Sequence, residues 1–94
     1  MIGKEEAERI VRAYIAKELS AVGEGLVVHD AATVERPYGW FFTITTAEFV
    51  ETGDPGTTYA GLGPVLVRRA DGGLVEYDSM YTGEAAAEHY EAGL

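Results

Sequence analysis

The chain has 94 residues, of which 47% are apolar and 24% charged, with 16 Asp and Glu against 7 Lys and Arg and no cysteine. A length of this order builds a single domain, residues 1–94, that buries roughly 60% of the surface its unfolded form exposes and so leaves little interior for a large cofactor. The absence of cysteine excludes disulfides, thiolate metal sites and a thiol nucleophile, while a formal charge of −9 opposes nucleic acid and anionic membranes and favours encounter with a basic protein surface.

Met-Ile-Gly-Lys-Glu-Glu runs straight into a charged amphipathic stretch, so the expected location is cytoplasmic. From Gly3 to about Ser20 the apolar residues Ala7, Ile10, Val11, Tyr14, Ile15 and Leu19 follow the spacing of a helix with one buried stripe. Glu5 with Arg9 and Glu8 with Arg12 are spaced to pair on its wet side. Gly23 and Gly25 are expected to end the helix and open a turn.

Leu26–Val28 and then Ala31–Glu35 predict a strand that bends at His29-Asp30-Ala31-Ala32, where the β preference weakens. Arg36-Pro37-Tyr38-Gly39 is turn chemistry. The strand Trp40–Thr46 follows, with Trp40, Phe42 and Ile44 on one face and Phe41, Thr43 and Thr45 on the other. Ala47–Leu62 is long for a plain connection, and a short helical turn over Ala47–Thr52 would shorten it. Pro64–Arg69 and Leu74–Tyr77, joined at Asp71-Gly72-Gly73, predict a hairpin. Thr82 is placed to cap a short helix from Glu84 to about Ala92, with Gly93 as its stop. The expected fold is α+β: an N-terminal helix packed on a four-stranded twisted antiparallel sheet with a short C-terminal helix, in the order α-β-β-β-β-α. The second face of the sheet is expected to remain partly open.

Catalytic constellations are thin. Ser20 and Ser79 lie outside any G-x-S-x-G turn, and His29 and His89 have no partner at metal-ligand spacing. Gly61-Leu62-Gly63 leads into Pro64 and a β-branched run instead of a helix, so it reads as a turn and not as a phosphate cradle. Glu76 and Asp78 share a strand face, but near a turn and a terminal helix they are expected to be solvated. No catalytic residue, cofactor or metal is predicted.

Partner binding has better material. From Asp71 onward there are six acidic residues and no Lys or Arg. Glu76, Asp78, Glu84 and Glu88, with Tyr77 and Tyr81 among them, make an acidic segment with aromatic anchors that suits a basic partner. Glu51 and Asp54 in the long connection join the expected contact set. An equally weighted reading has the tyrosines finishing the core, Tyr90 in particular, and the acids forming a solvated edge.

The segments Gly39-Trp40-Phe41-Phe42, Glu51-Thr52-Gly53-Asp54, Ala60-Gly61-Leu62-Gly63-Pro64-Val65-Leu66-Val67 and Asp71-Gly72, with the closing Tyr90-Glu91, resemble the YrhB-like family, also called the immunity protein 35 family. The resemblance spans nearly the whole chain. It implies a small bacterial α+β protein, either an immunity protein that neutralises a cognate toxin or a chaperone-like factor that binds clients through an exposed sheet face. Neither activity is enzymatic. Gly39, Trp40, Gly61, Gly63 and Pro64 match the family pattern and are expected to serve the fold, with Trp40 as the core anchor. After the last hairpin the chain departs from that pattern, with Tyr77-Asp78-Ser79-Met80 where relatives show a Gly-Thr step.

Overall fold

The computed structural model describes residues 1–19, 25–54, 56 and 62–94. Ser20, Gly23, Ala60 and Gly61, which figure in the readings above, lie outside the described residues. Helix α1 spans Lys4–Glu18, and its buried stripe is Ala7, Val11 and Ile15, with Ile10, Tyr14 and Leu19 packed half-buried beside it. Arg12 pairs with Glu8 as the spacing predicts, but Arg9 takes Glu6, three residues away, at 2.6 Å in place of Glu5.

The two long strands expected before the central connection each divide in two. The first becomes β1 (Leu26–Val28) and β2 (Val34–Arg36), and the second becomes β3 (Gly39–Phe42) and β4 (Ile44–Thr46). Strand β1 pairs with β4, starting at Leu26↔Thr46, and β2 pairs with β3, starting at Val34↔Phe41. Between the two halves the register slips by three residues, the length of the 3-10 turn Asp30–Ala32. That turn is a three-residue insertion in a single long hairpin, and it divides one expected sheet into a two-stranded ribbon and a larger sheet.

The expected helical turn is present as α2 (Ala47–Thr52). The Thr46 hydroxyl accepts the Phe49 N–H at 3.0 Å, and Gly53 ends the helix in the left-handed region at φ 71, where a side chain would be strained. Strands β5 (Val65–Arg68) and β6 (Leu74–Glu76) complete a four-stranded antiparallel sheet in the order β2-β3-β5-β6. Their turn is held by Asp71, whose Oδ1 accepts the Gly73 N–H at 2.8 Å. Helix α3 spans Gly83–Ala92, with the Thr82 hydroxyl accepting the Ala85 N–H.

Strand alternation sorts the core into two layers. Trp40, Phe42, Val65 and Val67 face the α1 stripe. Phe41 and Leu66 point the other way and pack with Ala86 and Ala87 of α3 and with four half-buried tyrosines, Tyr38, Tyr77, Tyr81 and Tyr90. The second sheet face, expected to be partly open, is therefore covered: Phe41 and Leu66 are both fully buried. The small side chains of Ala86 and Ala87 let a ten-residue helix lie close to the sheet, and the tyrosine rings fill the margins. A client-binding role built on an exposed sheet face loses that surface. Trp40 is the anchor expected of it, 1% exposed, with the Arg69 guanidinium 4.4 Å above its ring in cation–π contact.

Candidate functional site

The corner where β6 leaves the sheet and α3 begins gathers most of the residues singled out from the sequence. Tyr77 closes onto the preceding strand through its N–H, which donates to the Pro64 carbonyl at 3.0 Å. Gly63 lies flush beneath this backbone, and a Cβ there would come within 1.9 Å of the Tyr77 carbonyl oxygen. Gly39 is needed for the same reason on β3, since a Cβ would meet the Val67 carbonyl oxygen at 2.3 Å. These two pattern glycines thus serve close backbone approach, and Pro64 is buried at the start of β5. They shape the fold that presents the corner.

Asp78 organises the connection. Its Oδ1 accepts the Met80 N–H at 2.9 Å, and its carbonyl accepts the Tyr81 N–H at 3.2 Å, so one residue satisfies two donors of an exposed turn. Tyr81 sits edge-on to Tyr77 and to His89, each at 5.4 Å between ring centres. Tyr77 in turn tilts against Phe41 at 6.1 Å. Burial pushes the Tyr77 hydroxyl above its ordinary range, with Tyr90 and Tyr81 adding to the effect. The core role weighed for the tyrosines is the one the packing shows: the rings close the second core layer, and Tyr81 also lines a surface groove.

The carboxylates divide by partner. Glu76 is taken by α1, accepting a hydrogen bond from the Tyr14 hydroxyl. That hydroxyl is pushed up to about 12 by burial and then by Glu76. Glu84 faces Arg36 at 3.4 Å, and Glu91 accepts from Arg36 Nε at 2.9 Å and from the Tyr38 hydroxyl at 2.7 Å. The Tyr38 hydrogen bond, followed by Arg36, holds the Glu91 carboxyl below its usual range, while burial raises the Tyr38 hydroxyl. Asp78 and Glu88 have no cationic partner among the described residues. Glu51 and Asp54 are placed apart from this corner, on α2 and in the turn after it, where Asp54 Oδ1 accepts the Gly56 N–H at 2.9 Å.

All five arginines spend their charge inside the chain, because Arg68 pairs with Asp71 and Arg69 with Glu35, both at 3.2 Å, alongside the pairs of Arg9, Arg12 and Arg36 already described. The surplus negative charge is therefore left on carboxylates that face solvent. The Arg36–Tyr38–Glu91 clasp escaped the sequence reading, since its members lie more than fifty residues apart and no local spacing signals them. Met80 was passed over as well, although a long apolar residue in an otherwise polar connection is a visible signal; it is 88% exposed.

Glu76 and Asp78, the pair that period-2 spacing puts on one face, do not converge: one is held by α1 and the other folds into its own turn. His29 packs edge-on to Phe49 and His89 to the tyrosines. Among the described residues no three His, Asp or Glu side chains come together as a metal site. No helix among them is long and apolar enough to cross a membrane. The corner combines exposed carboxylates with half-buried tyrosine rings.

Comparison with the curated proteins and with the solved structures found no match. The family model described as Immunity protein 35 matches residues 5–93, nearly the whole chain, and this chain belongs to that family.

Proposed function

We propose that this chain is a cytoplasmic, non-enzymatic immunity protein that binds a cognate bacterial toxin one to one and blocks it sterically. The contact surface is the acidic, tyrosine-bearing corner formed by Glu76, Tyr77, Asp78, Tyr81, Glu84 and Glu88, with Glu51 on α2 and Asp54 in the turn after it as an outlying part. The observation that carries this reading is the internal pairing of all five arginines, which leaves Asp78 and Glu88 free to meet a partner's Lys and Arg. Such charges steer encounter and select against anionic partners more than they add raw affinity. A standard interface of roughly 1,600 Å² in total is within reach of a domain this size.

The test is a pull-down with the products of the neighbouring genes, any toxin domain among them used in a catalytically inactivated form, followed by biolayer interferometry across a salt series. The expected result is a stoichiometric complex whose association rate falls steeply between 50 and 500 mM salt, on the order of tenfold or more. A folded, soluble chain that retains no partner at low salt would overturn the proposal.

A further inference from the structure

An immunity interface needs more than charge, because the centre of a tight protein contact is apolar and the charges belong to its rim. Most of the chain's large apolar residues are in the two core layers. Met80 is the exception inside the acidic corner, 88% exposed. Its exposure forgoes the gain that burying an apolar side chain of this size provides.

The turn that carries Met80 is braced on three sides. Its own N–H is held by Asp78 at 2.9 Å, the residue after it packs edge-on to Tyr77 and His89, and the Tyr77-Asp78 backbone before it rests on Gly63 with no room for a Cβ. A side chain presented from such a turn loses little backbone freedom on binding. Tyr81, next in the chain, is also one wall of a surface groove of about 410 Å³. Val34, Leu62 and Pro64 form its other apolar walls, and Glu84 stands among its lining residues. The apolar surface thus continues past Tyr81 with Glu84 at its edge, while Asp78 lies in the Met80 turn itself and Glu88 one helical turn beyond Glu84 on α3.

Building on the immunity reading above, we propose that Met80 is the central anchor of the toxin interface. It enters an apolar pocket on the toxin whose rim carries Lys or Arg, and those cations meet Asp78, Glu84 and Glu88. The thioether is suited to this task, since an unbranched, polarizable side chain adapts to an irregular pocket.

The experiment uses the full chain and the same inactivated toxin domain. Met80→Ala is expected to raise Kd by about tenfold or more, and Met80→Leu to stay within about threefold of the parent. Because Met80 is exposed in the free chain, neither change threatens folding. The second readout is sulfur oxidation by dilute hydrogen peroxide, followed by peptide mass spectrometry. The chain has two methionines, and both Met1 and Met80 are open to solvent. In the complex Met80 is expected to oxidise about tenfold more slowly while Met1, the internal reference, keeps its rate. A complex in which Met80→Ala binds as tightly as the parent, or in which the Met80 sulfur stays as reactive as in the free chain, overturns this inference and leaves the immunity reading standing. Failure of the parent chain to bind at all removes both.

Discussion

Arg36 Nε donates to Glu91 Oε2 at 2.9 Å, and the same carboxylate oxygen accepts the Tyr38 hydroxyl. Through this contact the edge strand β2 and the turn after it hold the last turn of α3, which keeps that helix over Phe41 and Leu66. Glu91 is held below its usual range first by Tyr38 and then by Arg36. A carboxyl whose folded value is depressed contributes stability above its unfolded value, 4.5, and that contribution is lost as pH falls through the folded value. Urea denaturation of Glu91→Gln and the parent should show the variant less stable at pH 7, with the gap closing below pH 4.5. A gap of constant size across that window would show that the charge on Glu91 plays no part.

At the other end of the pH scale Tyr14 carries the signal. Its hydroxyl is raised from 10.0 to about 12 by burial and by the bond to Glu76. A group raised on folding adds stability that is complete below its unfolded value and disappears as pH rises through the folded one. The stability difference between parent and Tyr14→Phe should therefore hold at pH 9 and shrink from pH 10 to about pH 12. Ultraviolet titration provides the check: Tyr14→Phe should delete a late-ionising phenolate, not an early one.

Gly63 tests whether the pattern glycines act through the backbone. A methyl group there would overlap the Tyr77 carbonyl and the Asp78 backbone, neither of which can swing aside as a flexible side-chain end can. Gly63→Ala is expected to cost about 3 kcal/mol or more in chemical denaturation. Gly3→Ala, where a Cβ meets nothing within 4 Å, should cost no more than about 1 kcal/mol, the loss of a glycine N-cap on α1. Equal behaviour of the two variants would mean that the close approach is not real.

The start of α3 rests on Thr82, whose hydroxyl accepts the Ala85 N–H at 3.1 Å. Thr82→Ala should lower stability by ~1 kcal/mol, whereas Thr82→Asp, which keeps the acceptor, should fall within a few tenths. Guanidinium melts of both variants distinguish a cap from a passive turn residue.

Glu88 has no cationic partner among the described residues, so reversing its charge should leave the fold unharmed and act on association. Glu88→Lys is expected to slow association with the inactivated toxin domain by several-fold, on the order of 5 to 10 times at low salt, and to flatten the salt dependence. An unchanged association rate would move the basic contact away from this corner.

The elements legible in the chain are those set by neighbours within one turn or one pleat. The α1 stripe, the helical turn over Ala47–Thr52, the Asp71-Gly72-Gly73 hairpin and the Thr82 cap all depend on spacings of two to four residues, and each is where the spacing puts it. Arg9 shows the resolution limit even there, since Glu5 and Glu6 both lie within its reach and the rotamer decides between them. The three-residue slip at Asp30–Ala32 was visible only as weak β preference, because register belongs to a pair of strands and not to either one.

Three decisions were left to long-range packing. Which layer covers the second sheet face depends on Ala86 and Ala87 reaching Phe41 and Leu66 from the far end of the chain. Which carboxylates remain free depends on five arginines choosing partners, several of them across the fold. That Met80 stays exposed while the tyrosines around it turn inward is likewise settled by packing and not by its place in the chain. Periodicity specifies that a face is apolar, but the identity of the surface that buries it is settled by the competition among all faces for contact, and that competition exists only in three dimensions.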